Sequence, residues 1–267
     1  MSDNPPGPHS ASHTQHGHGD EIPSLNQKGE FVAIGSTSYV ERLPDGVVIK
    51  TAWPGGDRAR QRRREIATEA EIYDCLSEYP CLVRKKAWDP DEHALTLEDM
   101  PNGTLEDYLA SHADVPLEQR NKWATEAVGC LQLLHGSGVV HCDVGPHNFL
   151  LDDRLRLKII DFSGSSVEGS RTEISPGTRY AAPVPGGRSL QWTAPTTKTD
   201  LFSLGSTIYF IMTGKAPFAE FQSEDVQKMY SNHEFPDLAG IPHADLTRSC
   251  WSQEFESVDG LIPFLDV

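Results

Sequence analysis

Residues His141–Asn148 read HCDVGPHN, and residues 149–164 continue as FLLDDRLRLKIIDFSG. Two acids, Asp143 and Asp161, flank the amide Asn148, and the apolar runs between them have the length of two short strands. Acids and an amide placed at the ends of such strands raise the question of a metal–nucleotide site.

The surroundings of this stretch show where it sits. Residues 118–138, EQRNKWATEAVGCLQLLHGSG, have the periodicity of an amphipathic helix closed by glycine. Residues 199–214, TDLFSLGSTIYFIMTG, are apolar on nearly every side, which predicts a helix buried in a core. The remainder, to Val267, reads as helical. Upstream, FVAIGSTSYVERL (31–43) and GVVIK (46–50) read as strands around the turn signal Pro44-Asp45-Gly46. A helix is predicted from Arg64 to Leu76. Ile66, Glu69, Tyr73 and Leu76 share one face of it, so Glu69 lies on the buried stripe while Glu71 points away. A buried acid needs a cation, because an unpaired buried charge is costly. The run Arg58, Arg60 and Arg62 to Arg64 reads as a solvated face or helix entry. CLVRKKAW (81–88) and ALTLEDM (94–100) read as strands, and PNGTLEDYL (101–109) as a turn entering a helix.

Strands first and helices afterwards predict an α+β arrangement of two unequal lobes. The smaller, about residues 29–99, is an antiparallel sheet with one helix, and the larger, about residues 100–267, is mostly helical. Residues 1–28, with His9, His13, His16 and His18, read as a disordered polar tail. The formal charge of −16 argues against a nucleic-acid or anionic-membrane surface. No apolar run is long enough to span a bilayer, and no signal peptide opens the chain. The five cysteines lack CxxC spacing and are expected to be reduced thiols, which places the chain in the cytoplasm or nucleus.

Four segments, LLHGSGVVHCDVGPHNFLL (133–151), IIDFSG (159–164), GTRYAAP (177–183) and DLFSLGSTIYFIMTGKAPF (200–218), carry a resemblance. In order and spacing they resemble a eukaryotic protein kinase domain, over about residues 30–267. Within that superfamily the chain looks most like the short, divergent kinase-domain proteins of filamentous fungi. The resemblance implies ATP and Mg²⁺ as cofactors and a protein hydroxyl as acceptor. Asp143 stands at the catalytic-base position, Asn148 matches the second metal ligand, and Asp161 matches the acid that holds Mg²⁺. Lys50 matches the lysine that grips the α/β-phosphates, and Glu69 its ion-pair partner. Gly35 and Ser36 stand in the phosphate-covering hairpin, which has one glycine where two or three are usual. Val40, Val48 and Leu150 match the apolar plates around adenine, Leu97 the gatekeeper, and Glu98 to Met100 the hinge.

Several positions depart from the family pattern. Cys142 replaces the arginine before the catalytic acid, and Gly145 the lysine two residues after it. His147 occupies a position where many tyrosine kinases carry arginine, and is a candidate for the positive charge missing at Gly145. Ser163 stands where the metal-binding motif has glycine. Val184 and Val258 stand at the two ends of what is usually a buried ion pair. An active protein kinase is the first reading. A pseudokinase acting as a nucleotide-binding or scaffolding module, and a small-molecule kinase of the aminoglycoside or choline type, are the alternatives.

Overall fold

The computed structural model describes residues 27–76, 79–170, 172–183 and 195–265. The expectations for the tail, apart from residues 27 and 28, and for Val184 lie outside the described residues.

The turn at Pro44–Gly46 joins two of the first three strands, β1 (Glu30–Ile34), β2 (Ser38–Arg42) and β3 (Val47–Ala52). Gly46 has φ +78°, a left-handed value that a Cβ disfavours, and its N–H closes the turn on the Leu43 carbonyl. With β4 (Lys85–Asp89) and β5 (Ala94–Glu98) they form one antiparallel sheet in the order β1-β2-β3-β5-β4. The register sets Lys50 between Val40 and Leu95, so all three side chains share one face.

That face packs on α1 (Ala59–Leu76), which begins five residues before the predicted start. Arg60 and Arg62–Arg64 therefore belong to its first turns. Arginine is a good helix former and needs no burial, so helical periodicity in apolar residues sees only the later part. Ile66, Glu69, Tyr73 and Leu76 are buried and Glu71 is exposed, as their spacing predicts.

The helical part opens with α2 (Leu105–Ser111), whose N-cap Thr104 accepts the Asp107 N–H at 3.0 Å. Then come α3 (Leu117–Gly136), β6 (Val139–Val140), β7 (Phe149–Leu151), β8 (Leu157–Ile159) and β9 (Ser166–Val167). β7 and β8 form the expected hairpin, and β6 pairs with β9. The helix α4 (Thr197–Thr213) starts on a Thr196/Thr199 capping box and stops at Gly214, φ +72°. It is buried from Asp200 to Ile208 without a break. Beyond it lie α5 (Ser223–Ser231), α6 (Ala244–Ser252) and a 3-10 segment, Val258–Phe264. Residues 232–243 form no helix, which corrects the expectation of a helical remainder. Pro236, Gly240 and Pro242 interrupt that stretch.

One hydrophobic core joins Ile66 and Tyr73 of α1, Leu95 and Leu97 of β5, Trp123 and Leu131 of α3, and Leu204 and Ile208 of α4. The architecture is the two-lobed α+β arrangement, with Lys50 and the 141–164 segment facing each other across the junction. No helix among the described residues is long and apolar enough to cross a membrane.

Candidate active site

Three charged groups from distant elements meet at the junction. Lys50 Nζ donates to Glu69 Oε2 at 2.6 Å and to Asp161 Oδ1 at 2.7 Å. Burial works against the Lys50 charge, but Asp161 and Glu69 outweigh it and hold the ammonium well above its ordinary pKa. For Asp161, burial is likewise outweighed, here by Lys50, and its carboxyl falls well below the usual carboxylate range. Ser163, a departure in sequence, donates its Oγ–H to the same Asp161 Oδ1 at 2.7 Å. The substitution at the motif's glycine therefore supports the acid. Asp161 itself has φ +67°, a strained value tolerated by aspartate and common at functional sites.

Phe162 follows Asp161 and is fully buried. Its ring packs edge-on against Tyr73 of α1 (5.1 Å) and His141 (5.5 Å). This aromatic chain holds α1, and with it Glu69, against the 141–164 segment.

Asp143 and Asn148 sit on a loop built around a buried acid. Asp200 of α4, fully buried, accepts the His141 N–H at 2.7 Å on Oδ2 and the Cys142 N–H at 2.9 Å on Oδ1. His135 Nε2 lies 3.0 Å from Asp200 Oδ2. These bonds satisfy two loop amides that cannot reach water. They also fix Cys142 at φ +70°. Asp200 was not among the residues singled out from sequence. The signal was present, an acid inside an otherwise apolar helix, the same signal that marked Glu69. Asn148 Nδ2 donates to the Asp143 carbonyl (2.8 Å) and carboxylate (3.2 Å). Its Oδ1 is thereby left as the atom available to a cation.

His147 lies over Gly145. A Cβ built on Gly145 would stand 2.5 Å from the imidazole Cε1, so the ring occupies the space a side chain at 145 would enter. His147 Nε2 is 3.4 Å from Asp143 Oδ2. Burial opposes the imidazolium, but the Asp143 hydrogen bond and charge, with Glu106 and Asp161, outweigh it and raise the His147 pKa. Cys142 is buried at the position of the missing arginine, and burial pushes its thiol up to about 12, so it stays neutral.

A cavity of about 430 Å³ opens beside these groups. Gly35, Val40, Val48, Lys50, Leu97, Glu98, Met100, His147, Asn148, Leu150 and Asp161 all line it, with Glu69 at its back. Ser36 lies instead over a smaller adjoining space of about 80 Å³, with Asp143 and Asp161. The volume and the apolar lining suit a mononucleotide. Thr104 and Asp107 also line the mouth, and Arg42 pairs with Asp99 there at 2.7 Å. Sequence reasoning passed over Arg42, Thr104 and Asp107, since each is an ordinary surface residue until β2 and α2 come together beside the hinge that holds Asp99. A larger cleft of about 930 Å³ lies behind Glu98–Met100, but none of the groups from Lys50, Glu69, Asp143 or Asp161 reaches it.

Among the described residues, no three or more His, Cys, Asp or Glu side chains come together as a metal cluster. Asp161 and Asn148 offer two hard oxygen atoms, the small protein share of ligands that Mg²⁺ takes when substrate phosphates and water supply the rest. The residues present fit that ion.

The sequence matches the Protein kinase domain family over residues 38–262. The chain belongs to that family. It is 30% identical over 185 residues to the 3-phosphoinositide-dependent protein kinase B of Dictyostelium discoideum, covering 66% of this chain and 20% of that protein. A cAMP-dependent protein kinase catalytic subunit-like protein of Caenorhabditis elegans is 28% identical over 64% of this chain and 43% of its own length. A tyrosine-protein kinase of Hydra vulgaris is 27% identical over 87% of this chain and 34% of its own. The kinase domain thus spans less than half the length of each of these relatives. These matches show the kinase family and not a particular likeness to filamentous-fungal proteins.

Proposed function

We propose that the kinase domain is catalytically active and transfers the γ-phosphate of ATP to a hydroxyl of a protein substrate. One observation carries this reading. Lys50 is shared between Glu69 and Asp161 while Phe162 is packed between Tyr73 and His141, so the groups to which this reading gives the phosphates stand together. In this reading adenine lies between Val40, Val48 and Leu150, with its edge on the backbone of Glu98–Met100 and Leu97 behind it. The hairpin at Gly35 and Ser36 covers the phosphates, and Lys50 orients them. Asp143 orients the attacking hydroxyl and takes its proton. His147, over Gly145, directs a ring N–H toward the transferred phosphoryl group. Asn148 and Asp161 hold Mg²⁺, which when bound neutralises charge on the phosphate oxygens. The five cysteines, all free thiols, support a reducing cytoplasmic or nuclear setting. The acidic charge of −16 supports protein substrates over nucleic acid.

The test is labelled ATP with Mg²⁺, a generic protein substrate and the purified chain, beside an Asp161→Asn control. Transfer to protein that is lost in the control supports the proposal. Nucleotide binding without transfer would favour a pseudokinase, and transfer only to aminoglycosides or choline would favour a small-molecule kinase.

A further inference from the structure

Two cysteines lie close together where the α1–β4 connection packs against α3. Cys81 lies between α1 and β4. Its carbonyl accepts the Ile159 N–H at 2.9 Å, and its neighbour Leu82 bridges to Ile159 of β8. Cys130, on α3, points at the same residue, with Sγ 3.9 Å from the Cys81 carbonyl oxygen.

Their surroundings differ in a way that suits two roles. Cys130 is fully buried. Cys81 is half-buried and opens on a cleft of about 470 Å³ lined also by Tyr79, Glu126, Gly129 and Leu133. Nothing stands within 4 Å of the Cβ position of Gly129, so α3 leaves open space on its side of this cleft. The Lys158 ammonium is anchored next door on the Pro80 carbonyl. The Cys130 thiol pulls the Cys81 pKa below its ordinary value against the effect of burial, and Lys158 adds to it. The contact with Cys81, together with burial, pushes Cys130 well above its own ordinary value. Glu126 is the opposing charge on the cleft wall, and its Oε2 is engaged by the Leu157 N–H at 2.8 Å.

We propose that Cys81 and Cys130 form a peroxide-responsive thiol pair that closes to a disulfide and pins the α1–β4 connection to α3. The Cys81 thiolate attacks one oxygen of a hydroperoxide, ROOH. An S–O bond forms, the O–O bond breaks, and the departing alkoxide takes a proton to give ROH. Cys130 then attacks the sulfenic sulfur, an S–S bond forms, and the hydroxide leaves with the Cys130 proton as water. Two thiols lose two electrons and two protons, and one hydroperoxide is reduced. Cys81 is the attacking residue because it is the accessible one, and Cys130 the resolving one because its sulfur already lies against the Cys81 backbone. The bond would tie the segment behind Glu69 to the helical part, and this holds whether or not the domain transfers phosphate.

The experiment uses the full chain, reduced, freed of reductant and exposed to hydrogen peroxide. Residual thiols are alkylated, and the protein is digested without reductant for mass spectrometry. The expected product is a linked Cys81–Cys130 peptide pair, two hydrogens lighter than the separate thiol peptides and released by dithiothreitol. In Cys130→Ala, Cys81 should remain as a sulfenic acid captured by dimedone. Cys75, exposed on α1, is the internal reference, and Cys81 should be consumed roughly tenfold faster. Failure of the pair to form in the wild-type chain under conditions that oxidise Cys75 overturns the proposal. A disulfide joining Cys81 to any other cysteine overturns it as well.

Discussion

Replacing Lys50 by Met removes the only positive charge from a cluster in which Glu69 is 1% exposed. The variant cannot keep Glu69 ionised at the old cost, because a buried pair that loses one partner is destabilised by about 3–5 kcal/mol. Protonating Glu69 offers a cheaper route. At pH 7 this means working about 2.7 pH units above an ordinary carboxyl pKa of about 4.3, at about 1.36 kcal/mol per unit, or about 3.7 kcal/mol. At pH 5 the same step costs about 1 kcal/mol. Burial already raises the Glu69 pKa with Lys50 opposing it, and without Lys50 that opposition is gone. A folded-state pKa raised above the unfolded value means that the folded protein binds more protons. Its contribution is therefore full below the unfolded pKa and is lost as pH rises toward the folded one. Asp161, also deprived of Lys50, shifts with the same sign. Lys50→Met should thus lose about 3–4 kcal/mol relative to wild type at pH 7 and about 1 kcal/mol at pH 5. Urea denaturation of both proteins at both pH values reads this directly, and a Lys50→Met/Glu69→Leu double variant should recover part of the pH 7 loss. Equal losses at the two pH values, or a loss below about 1 kcal/mol at pH 7, would refute the buried pairing.

Asp200→Ala should destabilise the domain by roughly 2–5 kcal/mol, since the buried N–H groups of His141 and Cys142 lose their acceptor. Asp200→Asn, which keeps one acceptor oxygen, should lose less, and thermal melts of the two variants decide. Phosphorylation of Ser170, Thr172, Ser175 or Thr178 should not be required for activity. The buried neutral Cys142 cannot grip a phosphate, and Glu173 already reaches Arg58 (3.6 Å) and Gln61 (3.2 Å) of the α1 region. Phosphatase treatment that lowers the rate tenfold or more would contradict this. His147→Ala should lower kcat on the order of tenfold with little change in the KM for ATP, whereas a wild-type kcat would return His147 to the status of a loop residue.

Where a residue's environment follows from its own element, sequence was sufficient. Ile66, Glu69, Tyr73 and Leu76 share a buried stripe because helical geometry puts them there, and a buried acid demands a cation. The apolar run of α4 announces its own burial, and the spacing from Asp143 through Asn148 to Asp161 marks a hairpin with polar ends. The arginine-rich first turns of α1 escaped this logic because helix formation there needs no apolar periodicity.

What joins one element to another was decided only by tertiary structure. Lys50 meets Asp161 across 111 residues because the β2–β3–β5 register and the packing of α1 on Phe162 aim both groups at one point. The same holds for Asp200 beneath the His141–Cys142 amides, for Ser163 turning from a departure into a donor, and for the His147 ring filling the space above Gly145. Cys81 and Cys130 become a pair only when the α1–β4 connection docks on α3. Local periodicity encodes which face of an element is apolar. Which polar groups end within 3 Å of each other depends on how those faces pack, a property of the whole chain.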